Sequence, residues 1–180
     1  NNLGGEYDLL VFVDGAQVTA PAIGNYFDKN STAAAGVSGN GVLTELYVDS
    51  IEKEVRIVMV NTYLVKATAD YNATKEELTI EPIEVDEANA PTPVLPATIS
   101  NDDLNVADFK ENDYILVTVS LQGATPSIES VARTELVTGE VSEYTETDYV
   151  IMDGTKYKYN KLVGTDESKV AYTIGEDATV

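Results

Sequence analysis

The sequence predicts an all-β chain of tandem small β-barrel or β-sheet modules, with an OB- or SH3-like barrel at the centre and little helix. Three observations predict it. Apolar and polar residues alternate with a period of two over several stretches, the pattern of strands with one buried face. Asp-Gly, the chemistry of a two-residue hairpin turn, falls between strand-like runs twice, at Asp14-Gly15 and Asp153-Gly154. The string T-x-L-V also occurs twice, as Thr62/Leu64/Val65 and Thr134/Leu136/Val137, each time after a long hairpin-like stretch. Tyr far outnumbers Phe, 11 to 3, and Val and Thr are abundant, which favours pleated sheets over helices.

Taken in order, residues 7–13 form an aliphatic and aromatic run that turns at Asp14-Gly15 into a partner strand over 16–20. Residues 21–40 hold Gly24, Gly36, Gly39 and the tract Ala33-Ala34-Ala35, a composition that predicts a long loop with one helical turn. The spine of the chain is 41–65, GVLTELYVDSIEKEVRIVMVNTYLV. In it Val42, Thr44, Leu46 and Val48 share one face, Ser50 to Glu54 make a turn, and the return strand is apolar on nearly both sides, hence central.

Residues 66–83 read as another hairpin, turning at Tyr71-Asn72-Ala73-Thr74. Pro91, Pro93 and Pro96 then limit 84–100 to a loop with at most an edge strand over 94–99. Residues 100–112 offer the one fair helix candidate, with Leu104, Ala107 and Phe109 on one side. A strand over 114–121 follows, in which Ile115, Val117 and Val119 alternate with Tyr114, Leu116 and Thr118.

The resulting division is an incomplete module at 1–65, a five-stranded barrel at 66–135, and at 136–180 a truncated module repeating the first, with Asp153-Gly154 laid on Asp14-Gly15. On that alignment the last module stops before the counterpart of the 46–60 hairpin. A chain that opens on Asn, without a basic-then-apolar leader, reads as a piece of something longer.

Charge and residue types exclude several functions. With 31 acidic against 11 basic residues, the formal charge is −20, which repels nucleic acid and anionic membrane surfaces. No run is long and apolar enough to insert in a membrane as a helix. The chain has no His and no Cys, so Ser-His-Asp and Cys-His catalysis, disulfides and thiolate metal sites are all ruled out within it. Paired carboxylates of the glycosidase kind would remain, but a chain this acidic brings some pair to that spacing by chance, and no Trp is present to stack a sugar. No catalytic residue, cofactor site or metal ligand is therefore assigned.

Three weaker signals have a structural explanation beside the functional one. Asn101, Asp102, Asp103, Asp108, Glu111 and Asp113 gather oxygen atoms that suit calcium, yet lack the spacing of a calcium loop; carboxylates in a first helical turn and at a strand entry explain them better. Tyr144, Tyr149, Tyr157 and Tyr159 suit a stacking surface for sugars or peptides, or cross-strand packing. Asn30 and Asn72 head N-x-T/S-type acceptor triplets, which arise readily by chance.

The run TELYVDSIEKEVRIVMVNTYLVKATADYNATKEELTIE, together with NDYILVTVSLQGATPSIESV and VIMDGTKYKYNKLVG, resembles the extracellular β-repeat region of S-layer homology domain surface proteins of Gram-positive bacteria. The resemblance implies a non-enzymatic structural or spacer segment of a secreted, wall-associated protein, whose partners are copies of itself or cell-wall polymers. Divalent cations would then screen or bridge the acidic copies weakly. The alternative is a glycan- or protein-binding accessory module of a secreted wall-active enzyme. None of the helical wall-anchoring modules of that family is recognisable in these residues.

Overall fold

The structure, a computed structural model, describes residues 6–22, 24–27, 41–83, 95–102, 104–123, 125–146, 148–159 and 172–180. Among them are thirteen strands and a single four-residue helix, α1 (Gly24–Phe27), so the chain is all-β as its alternation predicts. No helix among the described residues is long and apolar enough to cross a membrane.

The first sheet contains β1 (Asp8–Val13), β2 (Ala16–Gln17), β3 (Val42–Asp49) and β4 (Glu54–Asn61) in the order β2-β1-β4-β3. β4 is central because both its faces are apolar, as expected. Its partner β3 is antiparallel, whereas β1 lies parallel to it, from Asp8 opposite Glu54 to Val13 opposite Met59. The turn from β1 to β2 places Asp14 and Gly15 at φ 48° and 78°, the left-handed pair that a two-residue hairpin needs. At the β3–β4 turn, Asp49 Oδ1 accepts from the main-chain N–H of Ile51 and Glu52, at 2.9 and 3.0 Å. Val11, Val42, Ile57 and Met59 form the sheet's buried face, with Leu9, Val13, Val18 and Tyr26 packed on it.

A single residue, Thr62, separates β4 from the next sheet, which is nearly closed into a barrel. Its strands are β5 (Tyr63–Ala67), β6 (Glu77–Pro82), β7 (Thr98–Ser100), β8 (Tyr114–Ser120) and β9 (Ser127–Arg133), in the order β7-β6-β5-β8-β9. The expected boundary between 65 and 66 therefore cuts through β5. Period two holds throughout: Tyr63, Val65 and Ala67 on β5, Leu78 and Ile80 on β6, and Ile115, Val117 and Val119 on β8 all point into one core.

The expected helix over 100–112 is absent from its described residues, which form turns. Asn101 explains the loss: its Oδ1 takes the N–H of Val106 at 3.0 Å, a side-chain bond that competes with a helical ladder. Val106 and Phe109 still enter the core with Leu104 packed against it, while Ala107 stays exposed.

The third sheet is formed by β10 (Thr138–Tyr144), β11 (Tyr149–Met152), β12 (Thr155–Lys158) and β13 (Asp177–Thr179), ordered β12-β11-β10-β13. Its β11–β12 hairpin repeats the first sheet locally, since Asp153 and Gly154 sit at φ 49° and 77°. The likeness stops there. β1 has the parallel β4 on its other side, but β11 has the antiparallel β10. The strand order instead matches the barrel's β7-β6-β5-β8, with all pairs antiparallel in both. An Asp-Gly pair dictates its own two dihedrals and nothing about the strand that pairs beyond them, so the observed likeness of the first and third units is confined to this turn.

Gly139, on β10, faces Asp153 so closely that an added Cβ would lie 2.5 Å from its Oδ2. The same carboxylate accepts from Glu140 N at 3.2 Å. In Gly139→Ala the carboxylate must swing away and release that bond, so the urea midpoint should fall by the equivalent of about 1 kcal/mol. An unchanged midpoint would mean that the turn absorbs the methyl group.

Candidate functional site

The most concentrated polar constellation among the described residues is centred on Asp14, which is only 2% exposed. Its Oδ1 accepts from Asn61 N at 2.7 Å, and its Oδ2 accepts from Asn61 Nδ2 at 2.9 Å and from the Tyr63 hydroxyl at 2.8 Å. Its main chain is held as firmly, with the N–H donating to Met59 O at 2.9 Å and the carbonyl accepting from Leu121 N at 2.7 Å. The turn thus touches the end of β4, the start of β5 and the end of β8, fastening the first sheet to the barrel.

This arrangement holds the chain together. Every partner donates to the carboxylate, and burial, with Asp14 adding to it, pushes the Tyr63 phenol well above its ordinary value, so it keeps its proton. Both oxygens of Asp14 are occupied by these donors. Sequence reasoning found the turn but not the bolt, because Asp-Gly reads the same whether its carboxylate is buried, as in Asp14, or exposed, as in Asp153.

The acidic cluster is dispersed into local structural bonds. Asp113 Oδ2 accepts from Lys110 N at 2.8 Å and also pairs with Arg133; the main-chain bond first, and the guanidinium after it, hold that carboxyl below its usual range. Arg133 also donates to Asp108 O at 3.0 Å and covers the Phe109 ring, 4.4 Å from its centroid. Glu111 N donates to Asp70, and Asp102 N to Ser100. Asp103 lies outside the described residues, and among those described no group of three or more acidic side chains is placed to hold a metal ion.

The tyrosines are packed rather than presented. Tyr144, Tyr157, Tyr159 and Tyr172 lie against Val141, Val150 and Met152, with the rings of Tyr144 and Tyr172 edge to face at 5.6 Å. The Tyr159 hydroxyl shares its one proton between the carbonyls of Thr145 and Tyr149, both at 2.9 Å, and burial, with the nearby Tyr172 and Tyr144, pushes its pKa up to about 12. Tyr149 donates to Glu143 and carries Lys156 Nζ 3.6 Å from its ring centroid. Asn72 spends its side-chain oxygen on Thr74 N and Lys75 N, and Asn30 lies outside the described residues, as does most of both long loops.

Among the described residues, most of the exposed large apolar side chains, Leu136 and Ile174 apart, lie on the β3–β4 hairpin. A shallow, open depression of about 390 Å³ runs along it, lined by Tyr47, Val48, Asp49, Glu54, Arg56 and Val58. Leu43, Leu46, Tyr47, Val48 and Ile51 are all more than half exposed. Nothing in the sequence marked these residues as uncovered, because alternation tells which face a side chain shares, not whether another layer lies over it. No family model, curated protein or solved structure matches this chain.

Proposed function

We propose that the chain is a non-enzymatic structural segment of a secreted bacterial surface protein, holding successive β modules in fixed orientation and packing against copies of itself or wall-associated neighbours. The observation that carries this reading is the junction between the first sheet and the barrel: one residue of connection, and the buried Asp14 bonded across it. A segment built to transmit position needs such a joint, whereas a flexible tether would be rich in Gly and Ser. The acidic surface keeps an exported segment apart from anionic polymers, with divalent cations as weak bridges between copies. A second reading, a protein-binding accessory module, is favoured by the exposed apolar side chains of the β3–β4 hairpin.

Small-angle scattering on the monomeric chain tests the structural reading. An elongated profile that does not change with temperature short of unfolding is expected. Profiles that broaden into an ensemble of module orientations would discard it.

A further inference from the structure

Two strand edges are suited to each other. Among the described residues, β3 ends the first sheet and β12 ends the third, with β4 and β11 as their paired strands. A strand with one free edge is a template for another strand. The remaining sheet-end strands serve less well. β2, β7 and β13 have two or three residues, and β9 is bulged opposite Thr118 and Val119, which twists its ladder.

The distal half of β3 is uncovered, with Leu46, Tyr47 and Val48 at 54, 52 and 61% exposure and Ile51 at the tip at 87%. It is also acidic. Glu45, Asp49, Glu52 and Glu54 stand against Lys53 and Arg56, and of these two Arg56 is already paired with Glu54 and Lys53 sits 5.1 Å from the Tyr7 ring centroid. β12 has the opposite character: in a chain with only 11 basic residues, it exposes Lys156 and Lys158 within four positions, with the half-buried Tyr157 between them.

The faces match as well as the charges. On β3, Glu45, Tyr47 and Asp49 share one face and Leu46 and Val48 the other; on β12, the two lysines share one face and Tyr157 takes the other. Because paired strands keep their alternation, a register that sets the lysines among Glu45, Tyr47 and Asp49 also sets Tyr157 against Leu46 or Val48, whichever way the strands run. Pairing of β3 with another β3 would instead bring two hairpins of the same net negative charge together.

We propose that β3 of one copy pairs edge to edge with β12 of a second copy, joining their two four-stranded sheets into one. The two surfaces differ, and every copy carries both, so the proposed association runs head to tail and grows past the dimer as an open chain. This deepens the assembly half of the structural reading and leaves the spacer half to scattering, so the two can fail separately.

The test is sedimentation equilibrium over a wide concentration range at physiological ionic strength, where screening confines charge effects to about 8 Å. The parent chain is expected to show a mass that climbs past the dimer without a plateau. Glu45→Lys with Tyr47→Lys, and separately Lys156→Glu with Lys158→Glu, should each give a monomer, all four being surface positions whose circular dichroism can be checked. An equimolar mixture of the two variants pairs the unaltered β12 of one with the unaltered β3 of the other, and the two altered edges are again opposite in charge, so it should recover growth as an alternating chain. All four substitutions in one chain exchange the charge patterns and should restore growth. A parent that stays monomeric, growth that ends at a dimer, or single-edge variants that still grow would each overturn the pairing.

Discussion

Asp14→Ala is expected to lower the free energy of unfolding by about 3–4 kcal/mol, the sum of three donors stranded in a buried site and a residue without a polar side chain forced into left-handed backbone. The stranded groups are Asn61 N, Asn61 Nδ2 and the Tyr63 hydroxyl, at a position where Asp14 holds φ at 48°. Asp14→Asn separates charge from hydrogen bonding. Asn61 Oδ1 is buried without a partner, so the Asn61 amide can turn over, accept from the new amide and leave the rotatable Tyr63 hydroxyl to adjust. That variant should lose only about 1–2 kcal/mol. Urea unfolding followed by far-ultraviolet circular dichroism reads both, and an Asp14→Ala protein within about 1 kcal/mol of the parent would show that the joint is held by something else.

Leu78→Ala should cost about 3 kcal/mol, in the middle of the range for emptying a buried leucine. Leu78 is fully buried on β6, opposite Ile99 on the three-residue β7, in a cluster with Ile80, Ile115 and Phe109. The short β7 has little ladder to hold it back and can move partway into the space, which keeps the loss below the upper limit of about 5 kcal/mol. Leu78→Met keeps the volume and should cost under about 1.5 kcal/mol. As the contrast, Leu46→Ala removes a side chain of the same size from the exposed part of β3 and should change stability by no more than about 0.5 kcal/mol. Equal midpoint shifts for Leu78→Ala and Leu46→Ala would mean that the barrel has no defined interior at β6.

The strands were legible because each writes its own burial into alternate positions. β8 and β4 are the clearest, one with a single buried face and the other apolar on both. Pairing was not legible, since no residue of β1 announces that its neighbour will be the parallel β4, forty residues on. The two sequence echoes also differed in worth. T-x-L-V leads into β5 and β10, the strands that occupy the same place in the barrel and in the third sheet, whereas Asp-Gly joins β1 to β11, whose neighbours differ. The first echo reflects a position in a topology; the second reflects a turn that any hairpin can use. The acidic cluster was ambiguous in a similar way, because a carboxylate that caps a main-chain N–H, as Asp113 does for Lys110, looks in sequence like one free to bind an ion.

The parallel pairing of β1 with β4 has a mechanical side. A pull along the chain draws β1 back through Asp8 and draws β4 forward through Asn61 and Tyr63, so the two strands are tugged in opposite senses along their shared length. The ladder between them is then loaded in shear, with its hydrogen bonds bearing the tension together, while a hairpin opened from its ends would give way one bond at a time. The carboxylate of Asp14 sits where that load passes from the first sheet into the barrel, gripping Asn61 and Tyr63 on either side of the single connecting residue.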